Sequence, residues 1–261
     1  GTSINVTQGG SYTVIGQSPN CDAVSNPFDI IGSYAPVPPI CMVTVDETDN
    51  KNVIIWEKPI TTSIDSFVVY RESNLAGVYS EIGRVDYEDI SEVVDTTSAP
   101  SINNNRYRLA IKDSCGNLTT QGDIHGTIKA WITPLGNGDS LEVFFTKYIG
   151  IDSLSYTLYR GDSANSMAPV GSAYTFNNTA NFYSIKDLSP PAYASGYVYY
   201  QVRANLVNLC NSDSNTYQQS ISNTVGYGNA LGFENSSQIF EVNAFPNPNN
   251  GAFNISIETG L

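Results

Sequence analysis

Little in this chain lends itself to catalysis. Its 261 residues include one histidine, His125, and two methionines. A single imidazole excludes any site that needs two. Basic residues are scarce: 12 Lys and Arg stand against 25 Asp and Glu, a net charge of −13. Phosphate repels such a chain, so nucleic acid is excluded as a partner and anionic membrane surfaces are poor ones. Charged residues of both signs make up 14%, against about 25% in an ordinary globular protein. Ser, Thr and Asn supply the polarity instead. No apolar run approaches the roughly 18 residues of a transmembrane helix. Gly1-Thr2-Ser3 is polar and uncharged, with neither a start Met nor a signal peptide, so the chain reads as a processed or excised piece. No GxSxG elbow, P-loop or dinucleotide fingerprint occurs, and no cofactor is expected. The four cysteines, Cys21, Cys41, Cys115 and Cys210, form no CxxC pair and no metal site. They suit an oxidising, extracellular setting. Three full pairings are open to them.

What is present is strand-forming sequence. Hydrophobic residues at 41%, with 17 Tyr and 10 Phe, are enough for real cores, and the length fits two domains. Helical periodicity is nearly absent. Short runs rich in Val, Ile, Tyr and Thr alternate with Gly, Pro, Asn and Asp. Strands are expected at Ile40–Val45, 51–58, 65–72, 78–87, around Val93-Val94, at 106–112 and within 118–129. Seven short strands in under 100 residues describe a β-sandwich.

The pattern then repeats. Tyr70-Arg71 aligns with Tyr159-Arg160, and at the same offset Trp56 aligns with Phe145. Asp95 aligns with Asp187, Tyr107 with Tyr200 and Cys115 with Cys210, at slightly larger offsets. A repeat of about 90 residues is the size of a whole sandwich, not of a solenoid unit, so the fold class is all-β with two tandem sandwiches. Trp56 and Phe145 are expected to face an inter-sheet gap about 10 Å thick. Tyr107 and Tyr200 are expected to bury their rings and hydrogen-bond the backbone.

The segment from Ile40 to Pro59, then Val68-Val69-Tyr70-Arg71-Glu72, Tyr79, Ile82-Gly83, Val94-Asp95-Thr96, Tyr107, Asp113 to Asn117 and His125 to Ile128 together resemble fibronectin type III domains. The version is one common in secreted and surface proteins of Bacteroidetes. The resemblance covers about residues 36–129, and residues 130–228 look like a more divergent copy. Residues 1–35, through Ile4 to Val14 and on to Cys21, look like the last strands of an immunoglobulin- or PKD-like module. They are too short to bury a core alone. Residues 229–242 read as a tether.

At the C-terminal end two prolines flank Asn247 and preclude helix. Gly251 allows a turn, and Phe253, Ile255 and Ile257 alternate with polar residues as a half-buried strand. This string, Phe245 to Ile257, resembles the opening of a type A sorting domain of the type IX secretion system. The resemblance gives Pro246, Asn247, Pro248, Gly251 and Phe253 as the sorting motif. It implies as partners the outer-membrane translocon and its cargo-carrying barrel protein, and a secreted or cell-surface location. A complete sorting domain of that family runs some tens of residues beyond Leu261.

The fibronectin resemblance places Cys41 and Cys115 at one pole, which implies a Cys41–Cys115 disulfide, worth about 4 kcal/mol on loop entropy. Cys21 is expected to pair upstream, if at all. The same resemblance implies O-glycans at Asp-Ser/Thr triplets, on Thr96, Ser140, Ser153 and Ser163, although Asp-Ser is also ordinary turn chemistry. His125, within Asp123-Ile124-His125-Gly126, suggests a Ser–His–Asp assembly less than a packing role at a domain junction. Asp46, Glu47 and Asp49, and likewise Asp86, Glu88 and Asp89, lack calcium-loop spacing and read as solvated turns. The expected function is a non-catalytic stalk or adhesin-like region, with surface polysaccharide or extracellular protein as further partners. The alternatives are an accessory region of a secreted hydrolase with its catalytic domain upstream, or a binding module using Tyr197, Tyr199 and Tyr200.

Overall fold

The computed structural model describes residues 3–6, 10–30, 37–60, 63–136, 140–171, 174–175, 180–191, 196–228, 240–245 and 254–259. They divide into a unit ending at Tyr227 and a second unit, Gly228–Leu261. Among the described residues no helix is long and apolar enough to cross a membrane.

The first sandwich is built from β5 (Ile40–Val45), β6 (Asn52–Trp56), β7 (Ile64–Glu72), β8 (Tyr79–Asp86), β9 (Glu92–Asp95), β10 (Arg106–Asp113) and β11 (His125–Gly126). One sheet has the order β5-β6-β9 and the other β11-β10-β7-β8, every pairing antiparallel. Trp56, Phe67, Tyr107, Leu109 and Ile111 fill the space between them. The Trp56 and Phe67 rings pack at 5.3 Å. Pairs of this kind add about 1 kcal/mol to the gain from burial alone.

The second sandwich comprises β12 (Ala130–Leu135), β13 (Ser140–Thr146), β14 (Ser155–Ser163), β15 (Ser166–Pro169), β16 (Tyr174–Thr175), β17 (Phe182–Asp187), β18 (Tyr197–Asn211), β19 (Thr216–Ile221) and β20 (Val225–Gly228). The orders β12-β13-β17 and β15-β14-β18-β19 reproduce the first sandwich, with β16 added beside β14 and β20 beside β18. Its separate core centres on Phe145, Tyr156, Leu158, Tyr200 and Val202.

The equivalent strands β6 and β13 differ in one telling respect. Along β13, Leu141, Val143 and Phe145 are buried while the residues between them are half-exposed, as a sheet with one covered face requires. Along β6 every residue from Asn52 to Trp56 is buried. Ile54 and Trp56 point into their own sandwich. Val53 and Ile55 point outward and are covered, with Met42, by Cys210, Leu206 and Tyr217 of the second sandwich.

Ahead of the first sandwich, β1 (Gly10–Tyr12) pairs with β4 (Phe28–Ile30), and β2 (Ile15–Ser18) with β3 (Cys21–Val24). Ile15, Val24 and Phe28 are exposed there. In the second unit, β21 (Phe240–Phe245) and β22 (Asn254–Thr259) form an antiparallel hairpin. Pro246, Asn247, Pro248, Gly251 and Phe253, expected from the sequence to form a sorting motif, lie outside the described residues.

Candidate functional site: the junction of the two sandwiches

Within each repeat the aligned residues meet in space. In the first sandwich Arg71 on β7 ion-pairs with Asp95 at the end of β9 at 2.7 Å, and the Tyr107 hydroxyl on β10 donates to the same carboxylate at 2.8 Å. Thr97 donates to Asp95 at 2.8 Å, and the Asn52 amide donates to the Tyr107 hydroxyl at 2.8 Å. The second sandwich repeats the constellation: Arg160 to Asp187 at 2.6 Å and Tyr200 to Asp187 at 2.7 Å. Each clasp ties one sheet to the other. Burial alone would raise the Asp95 pKa. Hydrogen bonds from Thr97, Tyr107 and Arg71, with the guanidinium charge, outweigh it and hold the carboxyl below its ordinary value. Burial, with Asp95 beside it, pushes the Tyr107 hydroxyl up, so it remains a donor. Both tyrosine hydroxyls thus bond a carboxylate, where the sequence suggested backbone.

The most densely cross-linked region joins the sandwiches. The extended β18–β19 hairpin of the second lies along β5 and β6 of the first. Cys41 and Cys210 form a disulfide with Cα atoms 5.7 Å apart, well within the usual range. This corrects the expected Cys41–Cys115 bridge. Cys41 packs with Met42, Val53 and Ile55 on the outward face of its sheet. Cys115 is an exposed, free thiol in the turn after β10, in the opposite sheet, with its N–H held by the Asp113 carboxylate at 2.9 Å. Cys21 is likewise free and exposed.

Polar bonds frame the disulfide on both sides. Ser220 donates to the Val43 carbonyl at 2.7 Å, and the Ile221 N–H donates to the Thr44 hydroxyl at 2.9 Å. Toward the hairpin tip, Glu57 accepts from the Asn211 N–H at 3.0 Å, and Glu92 accepts from the hydroxyls of Ser212 and Tyr217. Burial, then Glu92, pushes the Tyr217 hydroxyl up to about 12. Lys58–Asp213 at 2.5 Å and Arg203–Glu47 at 2.9 Å close the rim.

Tyr148, which follows β13, is the hub beneath the hairpin. Its hydroxyl accepts the Val43 N–H at 2.9 Å and lies 3.0 Å from Nδ1 of His125. Burial raises its pKa, so the hydroxyl keeps its proton and pairs with the His125 imidazole. The His125 ring also rests on Gly150. That residue has φ +108°, and a Cβ there would come within 2.6 Å of the ring, so only glycine fits. Burial lowers the His125 pKa from 6.5 to about 4, with Asp123 opposing. His125 is therefore a packed junction residue.

A pH dependence follows. The unfolded chain protonates His125 near 6.5, while the folded chain resists until about 4. Stability is full above pH 6.5 and falls as pH drops, by about 2 kcal/mol between pH 7 and 4.5. No other histidine exists to contribute. Urea titrations should show this slope in the wild type and lose it in His125→Asn; equal slopes would contradict the assignment.

Clefts open on this unit among the described residues, two of them beside groups already named. A groove of about 320 Å³ beside the disulfide is lined by Ile40, Glu57, His125, Ile151, Leu206 and Leu209 among others. A polar cleft of about 210 Å³ at the far end of the first sandwich is lined by Arg71, Glu72, Asn74, Asn103, Asn105 and Arg106 among others. Among the described residues no three His, Cys, Asp or Glu side chains converge as a metal site. Asp46 accepts the Thr48 and Asp49 N–H groups, which makes that acidic stretch a turn. Of the glycosylation candidates, Thr96 and Ser153 are exposed. Ser163 is half-buried, and Ser140, also half-buried, donates to the Leu188 carbonyl at 3.0 Å. Tyr197 and Tyr199 share one face and pack together at 6.2 Å, whereas Tyr200 is buried on the other.

A three-stranded sheet, β5-β6-β9, against a four-stranded one, β11-β10-β7-β8, repeated as β12-β13-β17 against β19-β18-β14-β15, defines the class: tandem fibronectin type III β-sandwiches, a modular architecture. No family model and no curated protein matches the chain. Among solved structures it is similar to the chicken interferon gamma receptor alpha chain, at 15% identity over 74% of this chain and 98% of that one, with a TM-score of 0.28. It is also similar to the FN1–FN3 domains of chicken CNTN1, at 13% identity over 79% and 70% with a TM-score of 0.26. A third is a cytokine receptor complex, at 8% identity over 75% and 98% with a TM-score of 0.27.

Proposed function

We propose that this chain is the non-catalytic spacer, or adhesin-like stalk, of a secreted or cell-surface protein exported by the type IX secretion system. Its C-terminal segment is the element read by the outer-membrane translocon and the cargo-carrying barrel. One observation carries the export reading: the Phe245-Pro246-Asn247-Pro248 string, with Gly251 and Phe253, lies C-terminal to tandem sandwiches, beyond a short tether. The stalk reading is supported by how the buried polar groups are spent. Arg71, Asp95 and Tyr107, their counterparts Arg160, Asp187 and Tyr200, and the His125–Tyr148 pair are all engaged in holding sheets or sandwiches together. The interdomain disulfide suits an oxidising location.

The export test replaces Pro246, Pro248 and Gly251 together with alanine in the complete secreted protein and measures its amount in the medium. The expected result is retention in the cell. Undiminished export would refute the role of this motif. Glycan, if carried, is expected on Thr96 and Ser153, whose side chains reach solvent, and not on Ser140. Intact-peptide mass spectrometry of native material reads this directly, and sugar-free Thr96 and Ser153 peptides would count against it.

A further inference from the structure

Tension applied along a tandem-sandwich stalk normally passes through every domain in series. In this chain the topology diverts it. The path enters the first sandwich at Ile40, where β5 begins, and the next residue is Cys41. Cys41 is covalently joined to Cys210, at the far end of β18. The bridge spans a sequence separation of 169 and so encloses nearly all of the first sandwich and most of the second.

We infer that the Cys41–Cys210 disulfide is a force bypass, which carries tension from β5 directly to the β18–β19 hairpin and shields both cores from mechanical unravelling. The bond lies across the load path, so no pull on the two ends can separate residues 41 and 210 while it is intact. Beyond Cys210, tension runs only through residues 211–227 before leaving the unit. That remaining segment is held from two sides. β19 is paired with β18 from Arg203–Ile221 to Asn211–Thr216, and it is bonded to β5 through Ser220–Val43 and Ile221–Thr44. Cys210 is 1% exposed and packs with Met42, Val53 and Ile55, so the bridge is seated in the interface it protects. The second sandwich thereby serves as a strap across the first. The inference rests on the stalk reading for its use, since a stalk is what bears tension. Its test needs neither export nor adhesion, so the two can fail separately.

The test stretches the full chain by its two ends in a single-molecule force instrument, first oxidised and then after reduction with a phosphine. A chain extends by at most about 3.6 Å per residue, so the enclosed loop hides about 600 Å of length. In the oxidised protein that length should be missing; of the unit beyond the bridge, residues 211–227 add about 60 Å, and the segments outside 41–227 extend alike in both states. In the reduced protein it should appear, as two steps of roughly 300 Å, one for each sandwich. Cys41→Ser/Cys210→Ser should extend like the reduced protein. Cys21→Ser/Cys115→Ser should behave like the oxidised wild type, which excludes exchange with the free thiols. Two-step extension of the oxidised protein would overturn the bypass, and so would identical short traces before and after reduction.

Discussion

Replacing Cys41 and Cys210 together with serine should lower the unfolding free energy by about 5 kcal/mol. The bridge closes a loop with a sequence separation of 169. Removing that constraint restores about 5 kcal/mol of configurational freedom to the unfolded chain on the loop-entropy model. The native state also loses contacts, because Cys210 belongs to the buried cluster of Met42, Val53 and Ile55. A urea titration with and without reductant measures the effect. The wild type under reductant should converge on the double variant. Cys21→Ser/Cys115→Ser, which alters two exposed thiols, should stay within about 0.5 kcal/mol of wild type. Equal losses in both double variants would contradict the assigned pairing.

Asp95→Ala should cost about 3 kcal/mol. The Asp95 side chain is 2% exposed and accepts from Arg71, Thr97 and Tyr107 at 2.7–2.8 Å. Truncating it leaves a guanidinium and a buried hydroxyl without their acceptor. The Arg71 side chain is 27% exposed, so water relieves part of the loss, which places the effect at the low end for a broken buried pair. Asp187→Ala should act similarly through Arg160 and Tyr200. Glu81→Ala breaks the exposed pair with Arg84 and should cost under about 0.5 kcal/mol. If Asp95→Ala were as mild as Glu81→Ala in chemical denaturation, the clasp would have no structural role.

The strand lattice of the first sandwich was legible in the sequence because its signals are local. β5 spans the expected strand-forming run, bounded by a polar turn, and the other strands fall on the expected runs to within a few residues at their ends. The repeat was legible for the same reason, and it identified the clasp residues before their geometry was known: Arg71 with Arg160, Asp95 with Asp187, Tyr107 with Tyr200. Their mutual contact was not legible. Offsets in an alignment do not reveal that an Arg and a Tyr from two strands of one sheet converge on the carboxylate of an Asp in the other. The cysteine pairing failed for a deeper reason. A single-domain argument places Cys41 and Cys115 at one pole, but a disulfide depends on which face each side chain leaves by and on what docks there. The docking did leave a trace. Asn52-Val53-Ile54-Ile55-Trp56 is an unbroken buried run, whereas Leu141 to Phe145 alternates. A strand of a two-sheet sandwich needs continuous apolar sequence only when its outward face is also covered. β18 runs for 15 residues against 8 in β10, and the excess carries Leu206 and Cys210 onto the first sandwich.

The central claim is that the two sandwiches are locked side by side through one covalent bond. Peptide mapping of the native protein under non-reducing conditions tests it most directly. A cross-linked peptide pair containing Cys41 and Cys210, with Cys21 and Cys115 recovered as free thiols, is the expected result. A Cys41–Cys115 pair, or a free thiol at Cys210, would contradict the account.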